Sequence, residues 1–346
     1  MNTKKLISLV LLFCVTLTGA GNLAACSTTP TSDIKVNVLV ELSLEYGWFD
    51  GFSEGLAAVR KGDKWGYIDK TGNEVIPCIY DFADNFSEGL AVVQKGDKCG
   101  YIDKTGNEVI PFVYDQVGGF SEGLAVVQKG DKWGYIDKIG NEVIPFVYDF
   151  ANNFSEGLAR VEKGENEGFI DKTGNEVIPF VYDQVGFGGF SEGLAVAIKG
   201  GKRGVIDKAG NEVIPFVYIR VGDFSEGLAK VYNGDKWGYM DKTGNEVIPC
   251  IYDQVGGFSE GLAAVQKGDK RGYIDKTGNE VIPCIYDFAD NFSEGLAVVQ
   301  KGEKMGYIDK TGNVAVSLVY DFAYNFSEGL AVVKKGDKLV IFEIEK

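Results

Sequence analysis

The most frequent chemically active group in this sequence is a glutamate that recurs in the motif Phe-Ser-Glu-Gly-Leu-Ala. Nine such glutamates in one register, from Glu54 to Glu328, could form an acidic row that collects cations such as calcium. Calcium, however, needs about six to eight oxygens that converge within about 2.6 Å. Stacked sheets hold equivalent side chains about 10 Å apart. We therefore predict that these residues form solvated turns and that the chain has no metal site.

Histidine is absent from the sequence. Its absence removes the commonest general base, the usual Ser-His and Cys-His nucleophile pairs, and the most frequent zinc ligand. Carboxylates are abundant, but none departs from its counterparts in the other repeats, whereas an active site needs one special arrangement. We therefore expect a non-catalytic protein that uses no cofactor.

Four cysteines lie within the repeats, at Cys78, Cys99, Cys250 and Cys284. None of them stands in a Cys-x-x-Cys spacing, so the sequence does not favour a zinc site. Equivalent positions in stacked sheets are also too far apart for a disulfide, whose Cα atoms lie within about 7 Å. We expect these cysteines to be small apolar core residues.

The N-terminus has the layout of an export signal. Two lysines precede an apolar run of 15 residues, 6–20, which is shorter than the ~20 residues that span a bilayer. The following Leu-Ala-Ala-Cys resembles a bacterial lipobox, which implies cleavage between Ala25 and Cys26 and acylation of Cys26. The alternative is a short anchor that is never cut. The predicted divisions are a signal peptide at 1–25, the lipidated cysteine with a polar spacer at 26–34, and a repeat array at 35–346.

The mature chain is strongly acidic. Removal of residues 1–25 takes away two lysines, so 33 basic residues face 50 acidic ones and the net charge becomes −17. Such a surface repels nucleic acid and anionic lipid heads. We expect a protein of the cell envelope, extracytoplasmic and attached to a membrane through the lipid on Cys26, whose partners are surface proteins or cell-wall glycan and not nucleic acid.

The motif sets the period of a tandem array. Its intervals are 34 residues, except for one of 36 residues where Gly186 to Gly189 is longer. The copies begin at Phe52, Phe86, Phe120, Phe154, Phe190, Phe224, Phe258, Phe292 and Phe326. Nine starts give eight full repeats and one truncated copy, and so strict a period predicts a repeat architecture.

One unit contains three predicted strands, at Leu124 to Gln128, Lys132 to Asp137 and Glu142 to Tyr148. Gly130-Asp131 and the Asp-Lys-x-Gly-Asn segment are hairpin turns. The first strand is apolar on both faces, so neighbouring sheets must cover it. We predict an all-β fold of tandem 34-residue repeats, each a three-stranded antiparallel sheet, stacked face to face in a propeller-like manner.

The two ends of the array are incomplete and complementary. Lys35 to Phe52 has the pattern of a third strand with its linker, and Leu330 to Glu343 has the pattern of the first two strands. Together they would complete a ninth unit and close a ring. The same ends would also serve as caps of an open superhelix, so the sequence is compatible with both arrangements.

The units resemble the WG (or KWG) repeats of bacterial proteins. The signature is Lys132-Trp133-Gly134-Tyr135-Ile136-Asp137 followed by Pro145 and Tyr148-Asp149, and the resemblance covers about residues 52 to 342. It implies a surface or envelope repeat protein and no transferable activity. The signature tryptophan is present only at Trp65, Trp133 and Trp237; its other copies are Cys99, Glu167, Arg203, Arg271, Met305 and Leu339.

This mixture of residues predicts that the tryptophan position is at least partly solvated, because an unpaired charge is rarely buried. Trp65, Trp133 and Trp237 are then candidate platforms for sugar rings or peptide side chains. Three functions are compatible with the sequence: a surface-anchored interaction scaffold that gains affinity from many copies, a carbohydrate- or cell-wall-binding module that uses these tryptophans, and a passive stalk.

Overall fold

The computed structural model describes residues 34–43, 46–186 and 188–345, which form strands and turns without a helix. The predicted all-β fold is confirmed. The strands group into nine small antiparallel sheets, or blades, of four strands each. Successive blades follow the chain order and close into a nine-bladed β-propeller.

Each blade has four strand positions, here named a to d. The a strands are β2 (Tyr46–Ser53), β6 (Phe82–Ser87), β10 (Gln116–Val117), β14 (Phe150–Ala151), β18 (Gln184–Val185), β22 (Arg220–Ser225), β26 (Gln254–Val255), β30 (Phe288–Ala289) and β34 (Phe322–Ala323). The b strands are β3 (Leu56–Lys61), β7 (Leu90–Lys95), β11 (Ala125–Lys129), β15 (Leu158–Lys163), β19 (Leu194–Lys199), β23 (Leu228–Tyr232), β27 (Leu262–Lys267), β31 (Leu296–Lys301) and β35 (Leu330–Lys335). The c strands are β4 (Lys64–Asp69), β8 (Lys98–Asp103), β12 (Lys132–Ile136), β16 (Asn166–Asp171), β20 (Lys202–Asp207), β24 (Trp237–Asp241), β28 (Lys270–Asp275), β32 (Lys304–Asp309) and β36 (Lys338–Ile344). The d strands are β5 (Glu74–Tyr80), β9 (Glu108–Tyr114), β13 (Glu142–Tyr148), β17 (Glu176–Tyr182), β21 (Glu212–Tyr218), β25 (Glu246–Tyr252), β29 (Glu280–Tyr286), β33 (Val314–Tyr320) and, for the last blade, β1 (Val36–Ser43).

The prediction of three strands per blade was wrong, because each blade has a fourth. The three predicted strands are strands b, c and d, and strand a precedes them. In six blades strand a is only two residues long, as in Gln116–Val117, which pairs with Gln128 and Val127 of strand b. So short a strand has no periodicity of its own, and its pairing with strand b defines it.

The hydrophobic core lies between blades. Strand b is buried on both faces, and Leu90 to Val93 in blade 2 show this pattern. In the first interface Tyr67 and Ile76 of blade 1 pack against Phe86, Val93 and Ile102 of blade 2. The same packing recurs around the ring, so each blade covers an apolar face of the next, as the consecutive apolar residues of strand b predicted.

The ring closes through its two ends. Strand β1 pairs with β36 from Val36 opposite Ile344 to Ser43 opposite Lys338, and so completes the ninth blade. Phe49 and Phe52 of the first blade share a core cluster with Val332 of the ninth. The sequence left a closed ring and an open superhelix as alternatives, and the structure shows the closed ring, in which the two end segments complete the ninth blade.

The a strands form the inner edge of the ring and the d strands its outer rim. Blades that radiate from one axis approach each other most closely at the inner edge. Neighbouring a strands touch there: Ser53, the last residue of β2, donates from its Oγ to the carbonyl oxygen of Phe86 in β6 at 2.7 Å. The d strands instead expose apolar side chains, such as Val75 and Ile79.

Within the described residues there is no helix of the length and apolar character that a membrane span requires. Residues 1–33, which include the predicted signal peptide and most of the spacer, lie outside the described part of the chain.

Candidate functional site

The nine glutamates lie in two-residue turns between strands a and b, with φ of 52° to 56°. The following glycine also has a positive φ, and Ser121 and Leu124 exchange backbone hydrogen bonds across one such turn. Both central residues therefore adopt the left-handed conformation of a type I′ turn. This conformation is uncommon for a residue other than glycine, so the glutamate side chain must contribute something in return.

That contribution is a contact with the next blade. The Glu122 carboxylate accepts the Gly157 N–H at 3.0 and 3.1 Å and pairs with Lys172 at 2.9 Å. Burial opposes ionisation of Glu122, but the hydrogen bonds from Lys172 and Gly157 outweigh it and lower the pKa of the carboxyl group. Such a carboxylate is already engaged, and among the described residues no group of three or more acidic, cysteine or histidine side chains could hold a metal ion.

This glutamate contact is present at all nine interfaces. At the ring closure the Glu328 carboxylate accepts the N–H groups of Glu54 and Gly55 at 2.5 and 2.8 Å. Ser327 Oγ also donates to the carbonyl oxygen of Phe52 at 2.9 Å. The serine and glutamate of the Phe-Ser-Glu-Gly motif thus bond each blade to the next. The motif is constant because every blade interface needs these contacts.

The glycine after the signature tryptophan is required by the path of strand d. Trp65 pairs with Tyr80 and Tyr67 pairs with Ile76, so three residues of β5 bulge over Gly66. A Cβ atom on Gly66 would lie 2.5 Å from the Ile76 carbonyl oxygen. In the ninth blade, strand d is β1, which pairs regularly with Val340, and this explains why a valine is tolerated there.

Three positions per blade lie side by side across strands a, b and c, and we name them the variable row. In blade 2 Phe82 pairs with Gln94, and Gln94 pairs with Cys99. From blade 1 to blade 9 the rows are Trp48/Arg60/Trp65, Phe82/Gln94/Cys99, Gln116/Gln128/Trp133, Phe150/Glu162/Glu167, Gln184/Ile198/Arg203, Arg220/Tyr232/Trp237, Gln254/Gln266/Arg271, Phe288/Gln300/Met305 and Phe322/Lys334/Leu339. Aromatic, amide, cationic, acidic and aliphatic side chains all occur in it.

The variable rows line grooves between the inner edges of neighbouring blades. A groove of about 420 Å³ holds Trp133 of blade 3 and Phe150 of blade 4. A second, of about 280 Å³, holds Gln254 and Arg271 of blade 7 with Phe288 of blade 8. Each groove combines the row of one blade with strand a of the next, so a ligand there would contact two blades at once.

The predicted tryptophan platforms are half-buried members of these rows. The rings of Trp65 and Phe82 lie 5.9 Å apart, and those of Trp133 and Phe150 lie 5.8 Å apart, each across a blade interface. Trp237 instead packs against Tyr232 in its own blade, at 5.1 Å. The structure places the three tryptophans in three separate blades, 1, 3 and 6, so they do not form one continuous platform.

Glu167 departs from the prediction that the tryptophan position is partly solvated. Glu167 is 4 % exposed and Arg160 is 6 % exposed. The carboxylate accepts two hydrogen bonds from the Arg160 guanidinium and one from the Val185 N–H at 2.6 Å. A charge is buried at this position because its partner stands on the neighbouring strand, where blade 3 has Val126.

The most exposed tryptophan of the described residues, Trp48, carries no mark of the repeat in the sequence and was not predicted as a site residue. Trp48 lies outside the repeat signature but occupies the a-strand position of blade 1, with 53 % of its surface exposed. It lines a groove of about 380 Å³ at the closure between the ninth and first blades, together with Tyr46, Phe322 and Tyr324. The signal available in the sequence was its place next to the first motif, Trp48-Phe49-Asp50-Gly51-Phe52.

The cysteines of the array have the character of packed thiols. Cys78, Cys99, Cys250 and Cys284 are half-buried and unpaired. Burial and the neighbouring Glu246 raise the pKa of Cys250 to about 11, so this group is a thiol and not a thiolate at neutral pH. Ala25 and Cys26, the predicted cleavage and lipidation residues, lie outside the described residues.

The similarities of the chain to solved structures are distant. The chain is similar to a crystal structure of a eukaryotic initiation factor, with a TM-score of 0.57 and 13 % identity over 80 % of this chain and 88 % of that chain. A more distant likeness is to the WD40 domain of SCAP from fission yeast, with a TM-score of 0.44 and 8 % identity over 90 % of this chain and 98 % of that one. No curated protein matches the sequence.

The family comparison covers almost the whole array. The family described as WG containing repeat matches nine times, at 40–65, 65–99, 100–133, 133–166, 168–202, 204–237, 237–270, 272–304 and 305–338. Because the matches run through all nine blades, the chain belongs to the WG repeat family.

Proposed function

We propose that this chain is a lipid-anchored, extracytoplasmic binding scaffold that takes its ligands in the inner grooves of the propeller and catalyses no reaction. The observation that carries the proposal is the contrast between constant and variable positions. The nine copies keep Phe-Ser-Glu-Gly-Leu-Ala unchanged, whereas the c-strand position of the variable row holds six residue types. Sequence differences between the blades therefore concentrate where a ligand could reach.

The constant positions have structural reasons for their constancy. The motif serine and glutamate join blades. A tyrosine kept in six of the nine copies also does so, as in Tyr67, whose buried hydroxyl donates to the Asp84 carbonyl oxygen of the next blade at 2.6 Å. The variable positions have no common partner: Trp65 contacts an aromatic ring, Glu167 an arginine and Arg203 the Val221 carbonyl oxygen. Because these positions do not share a packing partner, each groove can have its own ligand chemistry. Several grooves in one ring would favour multivalent binding.

The anchor belongs to the same proposal. Cleavage between Ala25 and Cys26 and acylation of the Cys26 thiol would leave about ten residues before β1. Two or three acyl chains contribute roughly 0.8 kcal/mol per buried CH₂ and hold a protein firmly on a membrane. Metabolic labelling with a palmitate analogue should mark the native chain and leave a Cys26→Ala variant unmarked. Equal labelling of the native chain and the Cys26→Ala variant would show that Cys26 is not the acylated residue.

A second candidate function is carbohydrate or cell-wall binding at the tryptophan positions. It is favoured by the groove in which the indole of Trp133 lies beside the ring of Phe150. Aromatic faces of this kind can stack on sugar rings while the groove leaves the hydroxyl groups hydrated. The two functions share a site and differ in the class of ligand.

The test compares an inner-groove variant with a rim variant of the same blade. Trp133→Ala alters the groove, and Val143→Ser alters an exposed side chain of strand d. Both variants would be assayed for capture of envelope proteins and for binding to a glycan array. We expect Trp133→Ala to weaken one of these activities and Val143→Ser to leave both unchanged. Loss with the rim variant alone would contradict the proposal.

A further inference from the structure

The groove at the ring closure differs from the other described grooves in its composition. Blade 1 contributes strand β2, whose eight residues and shifted register replace the two to six residues of the other a strands. The residue before the a-strand position is Gly47, whereas blades 2 to 9 have aspartate there with the single exception of Ile219. Blade 1 therefore has no carboxylate at this position of the repeat.

The walls of the closure groove are aromatic side chains that pack against one another. Phe49 lies edge-on to Tyr324 at 5.7 Å, and Phe322 lies edge-on to Tyr324 at 4.8 Å. Leu339, which is 5 % exposed, replaces the signature tryptophan at the base. Edge-to-face pairs fix the rings in position, so the surface that they offer is formed before any ligand arrives.

Two of these rings face solvent. Trp48 is 53 % exposed and Phe322 is 43 % exposed, and both line the groove of about 380 Å³. That volume lies within the range of small-ligand sites, about 300 to 1,000 Å³. An entirely apolar ligand would leave much of its surface in water here. A pyranose ring suits such a wall, because its C–H face can stack on an indole while its hydroxyl groups stay hydrated.

The charge beside the rings is positive, although the chain is acidic. Lys334 lies between Phe322 and Leu339 in the variable row of blade 9. Arg60 pairs in register with Trp48 on the other side. No carboxylate side chain lines the described groove, and the nearby Asp321 is already engaged by Lys304 and by the Gly336 N–H at 2.6 Å. A cation beside a stacking wall is complementary to an anionic substituent on the stacked ring.

We propose that the closure groove binds an acidic sugar, with its ring on Trp48 and Phe322 and its carboxylate beside Lys334. This inference rests on the proposed function and deepens it, since it assigns one groove a ligand class. The two other grooves described above lack this combination. The groove at blades 7 and 8 has Lys230 and Arg271 but also the carboxylate of Asp290 in its lining, and the groove at blades 3 and 4 has no cationic side chain.

The experiment uses matched pairs of sugars that differ by one carboxylate. Binding of glucuronate against glucose, and of N-acetylmuramate against N-acetylglucosamine, would be measured by calorimetry on the full chain in detergent. We expect each acidic sugar to bind at least fivefold more tightly than its neutral partner, and the difference to shrink as salt is raised. Equal affinities within both pairs would overturn the inference.

Variants locate the site. Trp48→Ala should weaken acidic-sugar binding about tenfold, and Lys334→Gln should abolish the preference for the acidic sugar while sparing stacking. Val143→Ser, on the exposed rim of blade 3, is the control and should change neither. If Trp133→Ala removes sugar binding and Trp48→Ala does not, the groove function stands and the closure site is wrong. If no sugar binds, the closure site is also wrong, and the protein-capture assay alone decides the proposed function.

Discussion

At the scale of single residues, many charged side chains form ion pairs or hydrogen bonds with neighbouring strands and blades. The clearest case is the buried pair of Arg160 and Glu167, which replaces the Val126 and Trp133 of the preceding blade. A buried ion pair is not in itself a strong source of stability, but removal of one partner leaves an uncompensated charge. The ion pair of blade 4 thus fills the same two positions that valine and tryptophan fill in blade 3.

We predict strong coupling between these two positions. Glu167→Ala should lower the free energy of unfolding by about 3–5 kcal/mol, because the Arg160 guanidinium stays buried without a partner. The double variant Arg160→Val with Glu167→Trp should recover most of this loss, since it recreates the pair of blade 3. Urea denaturation of the single and double variants measures the coupling. Additive effects would show that the pair is not a unit.

The aspartates of the c–d turns predict an acid transition. In blade 2 the Asp103 carboxylate accepts hydrogen bonds from the Thr105 hydroxyl at 2.6 Å and from the Asn107 N–H at 3.0 Å. The Thr105 hydrogen bond is the largest cause that lowers the pKa of Asp103 to about 2, from 3.8. The Thr173 hydroxyl likewise helps to lower the pKa of Asp171 to about 2.

The carboxylates of Asp103 and Asp171 therefore bind a proton less tightly in the folded state than in the unfolded state. The ionised aspartates therefore stabilise the folded state fully above about pH 4, and this stabilisation is lost as the pH falls towards 2. The melting temperature should fall steeply between pH 5 and pH 2, and the fall should be smaller in the Asp103→Asn variant. Asp63→Asn, in an exposed b–c hairpin, serves as the control. A variant Asp103→Asn with an unchanged pH slope would contradict this assignment.

At the scale of strands, the WG glycine is explained by the bulge of strand d. Gly66→Ala should destabilise the protein by about 2–3 kcal/mol, because the new Cβ would meet backbone atoms that cannot move freely. Gly51→Ala is a matched control, since no atom lies within 4 Å of its added Cβ and its φ is not positive. Chemical denaturation compares the two. Similar stability of both variants would show that strand d does not press on Gly66.

Strands b, c and d could be predicted from the sequence because each carries its own pattern. Leu124 to Gln128 is apolar and β-branched, and the turns after it contain glycine at fixed places. Strand a could not be predicted in the same way. Gln116–Val117 is two residues long and is followed by two glycines, so its sequence resembles a loop, and only pairing with strand b makes it a strand.

The site was only partly predictable for a related reason. The tryptophan position was identified because it breaks the repeat, and the structure places it in the inner grooves. Trp48 was missed because it stands before the first full copy, where no repeat signature marks it. The role of the motif glutamate was also hidden, because Glu122 meets Gly157, 35 residues away in the next blade.

At the scale of the whole molecule, closure gives every blade a neighbour on both sides. Glu122 joins blades 3 and 4, which are adjacent in sequence, whereas Glu328 joins the ninth blade to the first across 273 residues. In a closed ring, Glu122→Ala and Glu328→Ala should each lower the free energy of unfolding by about 1 kcal/mol. In an open array, only Glu122→Ala would have an effect. Parallel urea titrations of the two variants distinguish these cases.

The central claim is that the inner edge of the ring, and not its rim, receives ligands. Hydroxyl-radical footprinting tests it most directly, on the intact ring alone and with the envelope fraction that it captures. We predict protection of exposed inner residues such as Trp48, Phe82 and Phe150, with Val75 and Ile79 on the rim labelled equally in both samples. Protection of the rim residues with unchanged labelling of the inner residues would contradict the account.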